Sequence, residues 1–247
     1  MRSQRIYELT HTSHPVSNPV GEESVRRLLR EAAPRGDERV LDLGCGEAAW
    51  LLPLLAANPG VTAEGVDISR PALTRARQVA EETGVSDRLV LHRQGAAGFV
   101  SPEPFDTVLC VGSAYAFGGV RPALDAIRRH LAPGGRVLIG DAFWERPPGP
   151  VAREIFGEYH DLATTVDHVV GRGWAPVYGH VSTRAELDEY EWCWTGDLTA
   201  WALDHPDAPD SDEALALATA RRAEWLTEYR DCFGFLSLVV RSTAERA

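Results

Sequence analysis

Between residues 39 and 141 short apolar runs alternate with helical patterns, and this alternation confines the chain to an α/β architecture built on a parallel sheet. Runs such as Val108-Leu109-Cys110-Val111 and Val137-Leu138-Ile139 are apolar at every position, as strands covered on both faces must be. Strands are expected at residues 39–44, 61–66, 88–92, 105–111 and 136–140, with helices over 48–57, 71–83 and 120–131 between them. Ser69 is placed to cap the second of these helices, with Pro71 in its first turn and Gly84 just past its end. Asn58-Pro59-Gly60 closes the first, and Pro133-Gly134-Gly135 is expected to stop the third.

Outside that stretch, Asn18-Pro19 is expected to open a helix with Val25, Leu28, Leu29 and Ala32 on one face. Residues 146–150 form a proline-rich connector, followed by helices over 154–171, 185–203 and 212–230 and strands at 174–182 and 233–241. A length of 247 residues supports one such domain without a metal or disulfide. The four cysteines are too dispersed for zinc spacing, so no metal site is expected; they read as reduced thiols of a cytoplasmic protein. No run approaches 18 apolar residues and the first 16 contain no apolar signal region, so neither a membrane span nor a secretory signal is expected.

The net charge is −11, and ten Asp or Glu with no basic residue fall between residues 185 and 213. Such a cluster repels phosphate backbones, which argues against a nucleic-acid substrate; most simply it is a solvated face, with a weaker bias toward cationic ligands. All 25 basic residues are Arg. The absence of Lys removes Schiff-base and phosphate-loop lysine chemistry.

The first strand ends Leu41-Asp42-Leu43-Gly44-Cys45-Gly46. A strand entering a glycine turn and then a helix lets the backbone approach a ligand and aims helix N–H groups at it. At the end of the second strand, 21 residues after Gly46, stands Asp67. An acid there can accept both hydroxyl protons of a ribose, and with a strand on each side of the turn the combination marks a nucleoside site. Asp42 interrupts an otherwise apolar strand, where an unpartnered carboxylate is costly. A ligand ammonium would supply the partner. Gly44-x-Gly46-x-x-Ala49 also fits the dinucleotide fingerprint, but that motif ordinarily has apolar residues before its first glycine. Asp42 therefore suits a zwitterionic amino-acid tail better than a pyrophosphate.

Val40-Leu41-Asp42-Leu43-Gly44-Cys45-Gly46 together with Gly65-Val66-Asp67-Ile68-Ser69 resembles the class I S-adenosylmethionine (SAM) dependent methyltransferases, in a bacterial branch acting on small molecules. The resemblance is specific over residues 39–141 and looser elsewhere. It implies a Rossmann-like seven-stranded, mostly parallel sheet with helices on both faces, an N-terminal helical lid and a C-terminal helical cap insertion. The expected organisation is a single domain, 1–247. Within it, 1–36 form the lid, 37–145 the SAM-binding core, 146–231 the substrate-side helices and cap, and 232–247 the final strand. SAM is the implied cofactor. By motif, Gly44, Cys45 and Gly46 would face its methionine part, Asp67 the ribose, Ile68 the adenine, and Gly112 the amino-acid part. Two departures stand out. The family's third loop glycine is Ala48 here, so the turn must tolerate a methyl group. Where the family has Gly-Asp-Ala after the third strand, this chain has Gln94-Gly95-Ala96-Ala97, so adenine recognition rests on the backbone at Gly95 and Ala96, on Gln94, or on stacking.

Methyl transfer mainly requires alignment and exclusion of water, with a base only where the acceptor is protonated. Asp141, at the end of the fifth strand, is the first candidate for a base or substrate contact, with capping of the next turn as the structural alternative. Tyr115, after the fourth strand, could touch either ligand or simply pack. His14 is a further catalytic candidate, and Tyr7 and His11 on the same segment are candidate substrate contacts. Four of seven Trp fall between residues 174 and 201. They anchor the cap or wall an acceptor; Trp144 and Tyr178 are the chosen candidates for such a wall. The expected reaction is transfer of methyl to N or O of a small metabolite, as a monomer or homodimer. The alternative is a SAM-fold enzyme that consumes SAM itself by cyclisation or cleavage.

Overall fold

A computed structural model of the chain describes Leu9, Thr10 and residues 13–243. Seven strands form one sheet: β1 (Arg39–Leu43), β2 (Thr62–Asp67), β3 (Leu89–Arg93), β4 (Phe105–Val111), β5 (Leu131–Trp144), β6 (Trp174–Val181) and β7 (Phe233–Ser242), in the order β3-β2-β1-β4-β5-β7-β6. The pairs β1–β2, β1–β4, β2–β3 and β4–β5 are parallel, and β6–β7 is antiparallel. Strand order reverses beside β1, where β2 goes one way and β4 the other. Ligands of open α/β sheets bind outside the carboxyl ends at such a point.

The chain divides into two compact units, and the division cuts across sequence order. One holds Glu22–Ala142, Leu162–Val181 and the chain from Phe235 onward; we call it the sheet unit. The other, the cap unit, holds the described residues up to Gly21, Phe143–Asp161 and Ser182–Gly234.

In the sheet unit, α1 (Glu22–Ala32) buries Val25, Leu28, Leu29 and Ala32, one stripe at helical spacing. It belongs with the sheet rather than with a lid. It also starts later than Asn18-Pro19, because Val20 N–H turns back to the Asn18 carbonyl and Gly21 N–H is taken by Glu186. The next helices are α2 (Leu51–Ala57) and α3 (Arg70–Glu82). Ser69 caps α3 by accepting from Ala72 N–H at 3.3 Å, as its sequence signals predict. Then α4 (Val120–Ile127) gives way to a 3₁₀ turn, Arg128–His130. Pro133-Gly134-Gly135 does not stop a helix. It lies inside β5, beside a register shift on β4, with Gly134 at φ +74° supplying the irregularity.

In the cap unit, α5 (Pro150–Phe156) ends at Gly157, whose φ 82°, ψ −157° only glycine adopts readily. The single helix expected over 154–171 is thus two, α5 and α6 (Leu162–Val170), the latter counted with the sheet unit. The intervening chain is held extended by a hydrogen bond from Trp144 N–H to the His160 carbonyl. The long α7 (Arg184–Asp204) opens with a Thr183/Glu186 capping box. It packs on α8 (Ser211–Glu224) through Trp194, Leu198, Ala202, Ala214 and Ala218. The expected helix to residue 230 instead widens into a π-helical turn, Trp225–Tyr229. Part of the acidic run is structural: Glu191 pairs with Arg221, Asp188 with Arg230, and Asp197 accepts from Ser13 N–H. Among the described residues no helix is long and apolar enough to cross a membrane.

Candidate active site

The turn after β1 is forced by its glycines. Gly44 has φ +91°, and a Cβ there would lie 2.4 Å from Ser113 Cβ, so no other residue fits. Ser113 also donates to the Leu43 carbonyl at 2.5 Å, tying the loop after β4 to the end of β1. That residue was not singled out by its sequence; a serine following Gly112 carries no motif of its own. Ala48 takes φ +59° with its methyl fully buried, alone among described non-glycine residues in that region. This departure from the glycine pattern is accommodated at about 1 kcal/mol of strain, and it delays α2 until Leu51 instead of residue 48.

The amides of this turn are engaged within the protein. Gly44 and Cys45 N–H both donate to the Val66 carbonyl, and Gly46 N–H donates to Asp67 Oδ2 at 2.9 Å. The other Asp67 oxygen accepts from Ser69 N–H at 2.7 Å. Two consequences follow. Asp67 is fixed across the gap between β1 and β2, with lone pairs left for further donors such as ribose hydroxyls. And the amides of Gly44, Cys45 and Gly46 are already taken, so these three do not face a pyrophosphate. Cys45, expected to contact the cofactor, turns its thiol toward Gly65, where a Cβ would meet Sγ at 2.7 Å. Burial pushes that thiol far up, so it stays protonated, and its part in the site is shape.

Asp42 lies at the end of β1, 3 % exposed, with Oδ2 unpartnered. Burial first, and the Asp67 charge second, push its carboxyl up to about 8. An uncompensated carboxyl in the sheet's core is a standing cost that a ligand cation relieves. Nearby backbone is open: a Cβ on Gly46 or on Gly95 would meet nothing within 4 Å. Ile68 is 72 % exposed and Tyr115 81 % exposed, two apolar surfaces at the carboxyl ends of β2 and β4. Ala96 is buried in the 3₁₀ turn that follows β3, and Gly112 N–H donates to the Gly140 carbonyl at φ +68°.

Asp141 follows Gly140, the register partner of Val111, so it stands one position beyond the end of β4. Its Oδ1 accepts from Ala142 N–H at 2.9 Å, and burial pushes its carboxyl up to about 6. Asp42, Gly44, Cys45, Gly46, Asp67, Ile68, Gly95, Ala96, Gly112, Tyr115 and Asp141 therefore gather at one end of the sheet unit.

Tyr178 does not join them. It sits in mid-strand on β6, the edge of the sheet four positions from β1, with the Arg27 guanidinium 5.0 Å above its ring. Periodicity located its strand but could not reveal that the strand is an outer one. Trp144 and His14 belong to the cap unit. Trp144 is enclosed by Phe156, Tyr159 and Phe233 at centroid distances of 6.0–6.2 Å. His14 is buried with Nδ1 2.7 Å from the Val16 carbonyl. Tyr7 and His11 lie outside the described residues.

Residues 41–137 match the family described as a methyltransferase domain. The chain is 30 % identical over 240 residues to the uncharacterized protein YjhP of Escherichia coli K12, covering 94 % of this chain and 95 % of that one. Over 131 residues it is 34 % identical to nocamycin O-methyltransferase of Saccharothrix syringae, covering 52 % and 45 %. A SAM-dependent methyltransferase from Geobacter sulfurreducens, solved with S-adenosylhomocysteine bound, shares the fold at a TM-score of 0.86 and 28 % identity, over 96 % of this chain and 98 % of that one. A glycine turn whose Gly44, Cys45 and Gly46 amides are held within the protein, an acid fixed between β1 and β2, a buried carboxyl without a partner and these likenesses agree: the chain belongs to the class I SAM-dependent methyltransferases.

Proposed function

We propose that the enzyme methylates an oxygen or nitrogen of a small molecule, with Asp141 receiving the acceptor's proton. The observation that carries this reading is the Asp141 carboxyl itself. It stands in β5 one position past Gly140, whose carbonyl accepts from Gly112 N–H, in the sheet unit that holds the nucleoside residues. With its proton affinity raised to about 6 it is mostly ionised at neutral pH yet basic enough to accept a proton.

In this reading Asp67 accepts from the ribose hydroxyls, Asp42 faces the ammonium, and Gly44 and Gly46 give the backbone clearance the amino-acid tail needs. Ile68 covers one adenine face, with Gly95 and Ala96 at its edge and Gly112 flanking the methionine part. Bound SAM would supply an electrophilic methyl, whose carbon an acceptor lone pair would attack in line while the C–S bonding pair leaves with sulfur as S-adenosylhomocysteine. The protein's contribution is orientation and exclusion of water, together worth about 7–11 kcal/mol of barrier when reactants are held in near-attack geometry. The nocamycin enzyme, whose name places its methyl on oxygen, supports a small-molecule acceptor.

The test is incubation with methyl-labelled SAM and host metabolite extract, with products read by mass. Label in a small molecule together with S-adenosylhomocysteine is the expected result. Methylthioadenosine without labelled product would mean that SAM is consumed rather than used as donor, and would overturn the reading.

A further inference from the structure

Where β1, β4 and β5 begin, at the end of the sheet opposite Asp42 and Asp67, the sheet unit has a cavity of about 160 Å³. Its charged lining is Arg35, Arg136 and Arg241 against Glu38 and Asp106. A net positive lining is unexpected in a chain of net charge −11, and the partners of each charge decide what the cavity can hold. Both acids are already bonded. Glu38, 1 % exposed, accepts from the backbone N–H groups of Arg35, Gly36 and Asp37 at 2.7, 2.8 and 3.2 Å. Asp106 accepts from Arg39 N–H at 2.9 Å and pairs with Arg35 at 3.0 Å. Arg35 also holds Asp37 at 2.9 Å, so its charge is neutralised from two sides.

The end of α1, whose last carbonyls would repel an anion, is closed as well. Arg136 Nη1 donates to the Glu31 carbonyl at 2.6 Å, and the Thr107 hydroxyl donates to the Ala32 carbonyl at 2.8 Å. Two cations remain. Arg136 meets only that backbone carbonyl, which leaves its Nε and Nη2 donors uncommitted. Arg241, on β7, pairs with no carboxylate among the described residues. Gly134 brings the two together: at φ +74° on β5, two positions before Arg136, a Cβ there would stand 3.7 Å from Arg241 Nη2. The head of Arg241 therefore lies over the strand that carries Arg136. Two guanidinium groups gathered at one cavity without a counter-ion repel each other, and an oxyanion between them removes that repulsion.

We propose that Arg136 and Arg241 form an anion site for a phosphate group, free or carried on a small molecule, at the end of the sheet away from the cofactor residues. A phosphate dianion has oxygens for two guanidinium forks, whereas a single carboxylate is satisfied by one. A cavity of about 150 Å³ takes up a molecule the size of benzene, so a phosphate group fits. A ligand here touches neither Asp42 nor Asp67, and the two sites fill independently.

Calorimetric titration of the full chain with inorganic phosphate, and separately with glycerol 3-phosphate, tests the site at an ionic strength held constant with chloride. Saturable binding of one ligand per chain is expected. Arg136→Gln and Arg241→Gln should each weaken it about tenfold or more. Arg136→Gln also loses the bond to α1, so its melting temperature is recorded, and where that variant is unfolded Arg241→Gln decides alone. Tighter binding of inorganic phosphate identifies the free ion as the ligand; tighter binding of the ester identifies a phosphorylated small molecule. With phosphate saturating, affinity for S-adenosylhomocysteine should stay within about twofold. No saturable binding of either probe, equal affinity in wild type and Arg241→Gln, or mutual exclusion of phosphate and S-adenosylhomocysteine overturns the proposal.

Discussion

Cofactor binding at neutral pH should expel a proton, and Asp42 is its source. Its carboxyl is held protonated to about 8 by burial and by the Asp67 charge, so at pH 7 it is mostly protonated before ligand arrives. Facing an ammonium it must ionise. The ligand's amine, that of a free amino acid, is already protonated at pH 7. The net is release of most of one proton per ligand bound. Titrating S-adenosylhomocysteine calorimetrically in buffers of different ionisation enthalpy reads this number directly. Asp42→Asn should abolish the release at pH 7 and weaken binding. A wild-type value near zero at pH 7 would refute the ammonium assignment, because a neutral Asp42 in the complex would then be bonding something else.

The folded protein keeps the Asp42 proton up to about 8 while the unfolded chain loses it near 3.8. Stability of the ligand-free protein therefore falls as pH rises between those values, by about 1.4 kcal/mol per unit at most, and denaturation of Asp42→Asn should lack that slope. Asp141→Asn should lower turnover by about 10²–10⁴-fold with cofactor affinity retained. The wild-type profile of kcat/KM should rise through pH 6 as the carboxylate forms, a limb missing from the variant; a variant with unchanged rate would move the base elsewhere. Gly44→Ala combines a left-handed backbone with a 2.4 Å clash on Ser113 and should cost about 2–4 kcal/mol in denaturant unfolding.

The cofactor half of the molecule was legible because its chemistry is local in sequence. Gly44, Asp67 and the Ser69 cap act on neighbours a strand or a turn away, and parallel strands announce themselves by unbroken apolar runs. Asp42 was legible for the same reason: an acid in an apolar strand is anomalous wherever the strand lies. The cap half depends on pairings at long range that leave no periodic trace. Glu191 finds Arg221 thirty positions on and Asp188 finds Arg230, so two acids of a run that reads as a bare acidic face are ion-paired. Gly157 splits one expected helix, and a π turn brings Tyr229 inward, yet neither residue differs in kind from many that do nothing similar. Tyr178 shows the remaining gap. Its strand was found, but sheet order, which puts it at an edge under Arg27, is set by how seven strands assemble and not by any one of them.

A crystal structure of the protein with S-adenosylhomocysteine tests most directly whether Asp67 and the glycine turn hold an adenosyl group. It should show both ribose hydroxyls within hydrogen-bond distance of the Asp67 carboxylate and the ligand ammonium on the side of Asp42. A nucleoside lying elsewhere, with Asp67 still bonded only to Gly46 and Ser69, would contradict it.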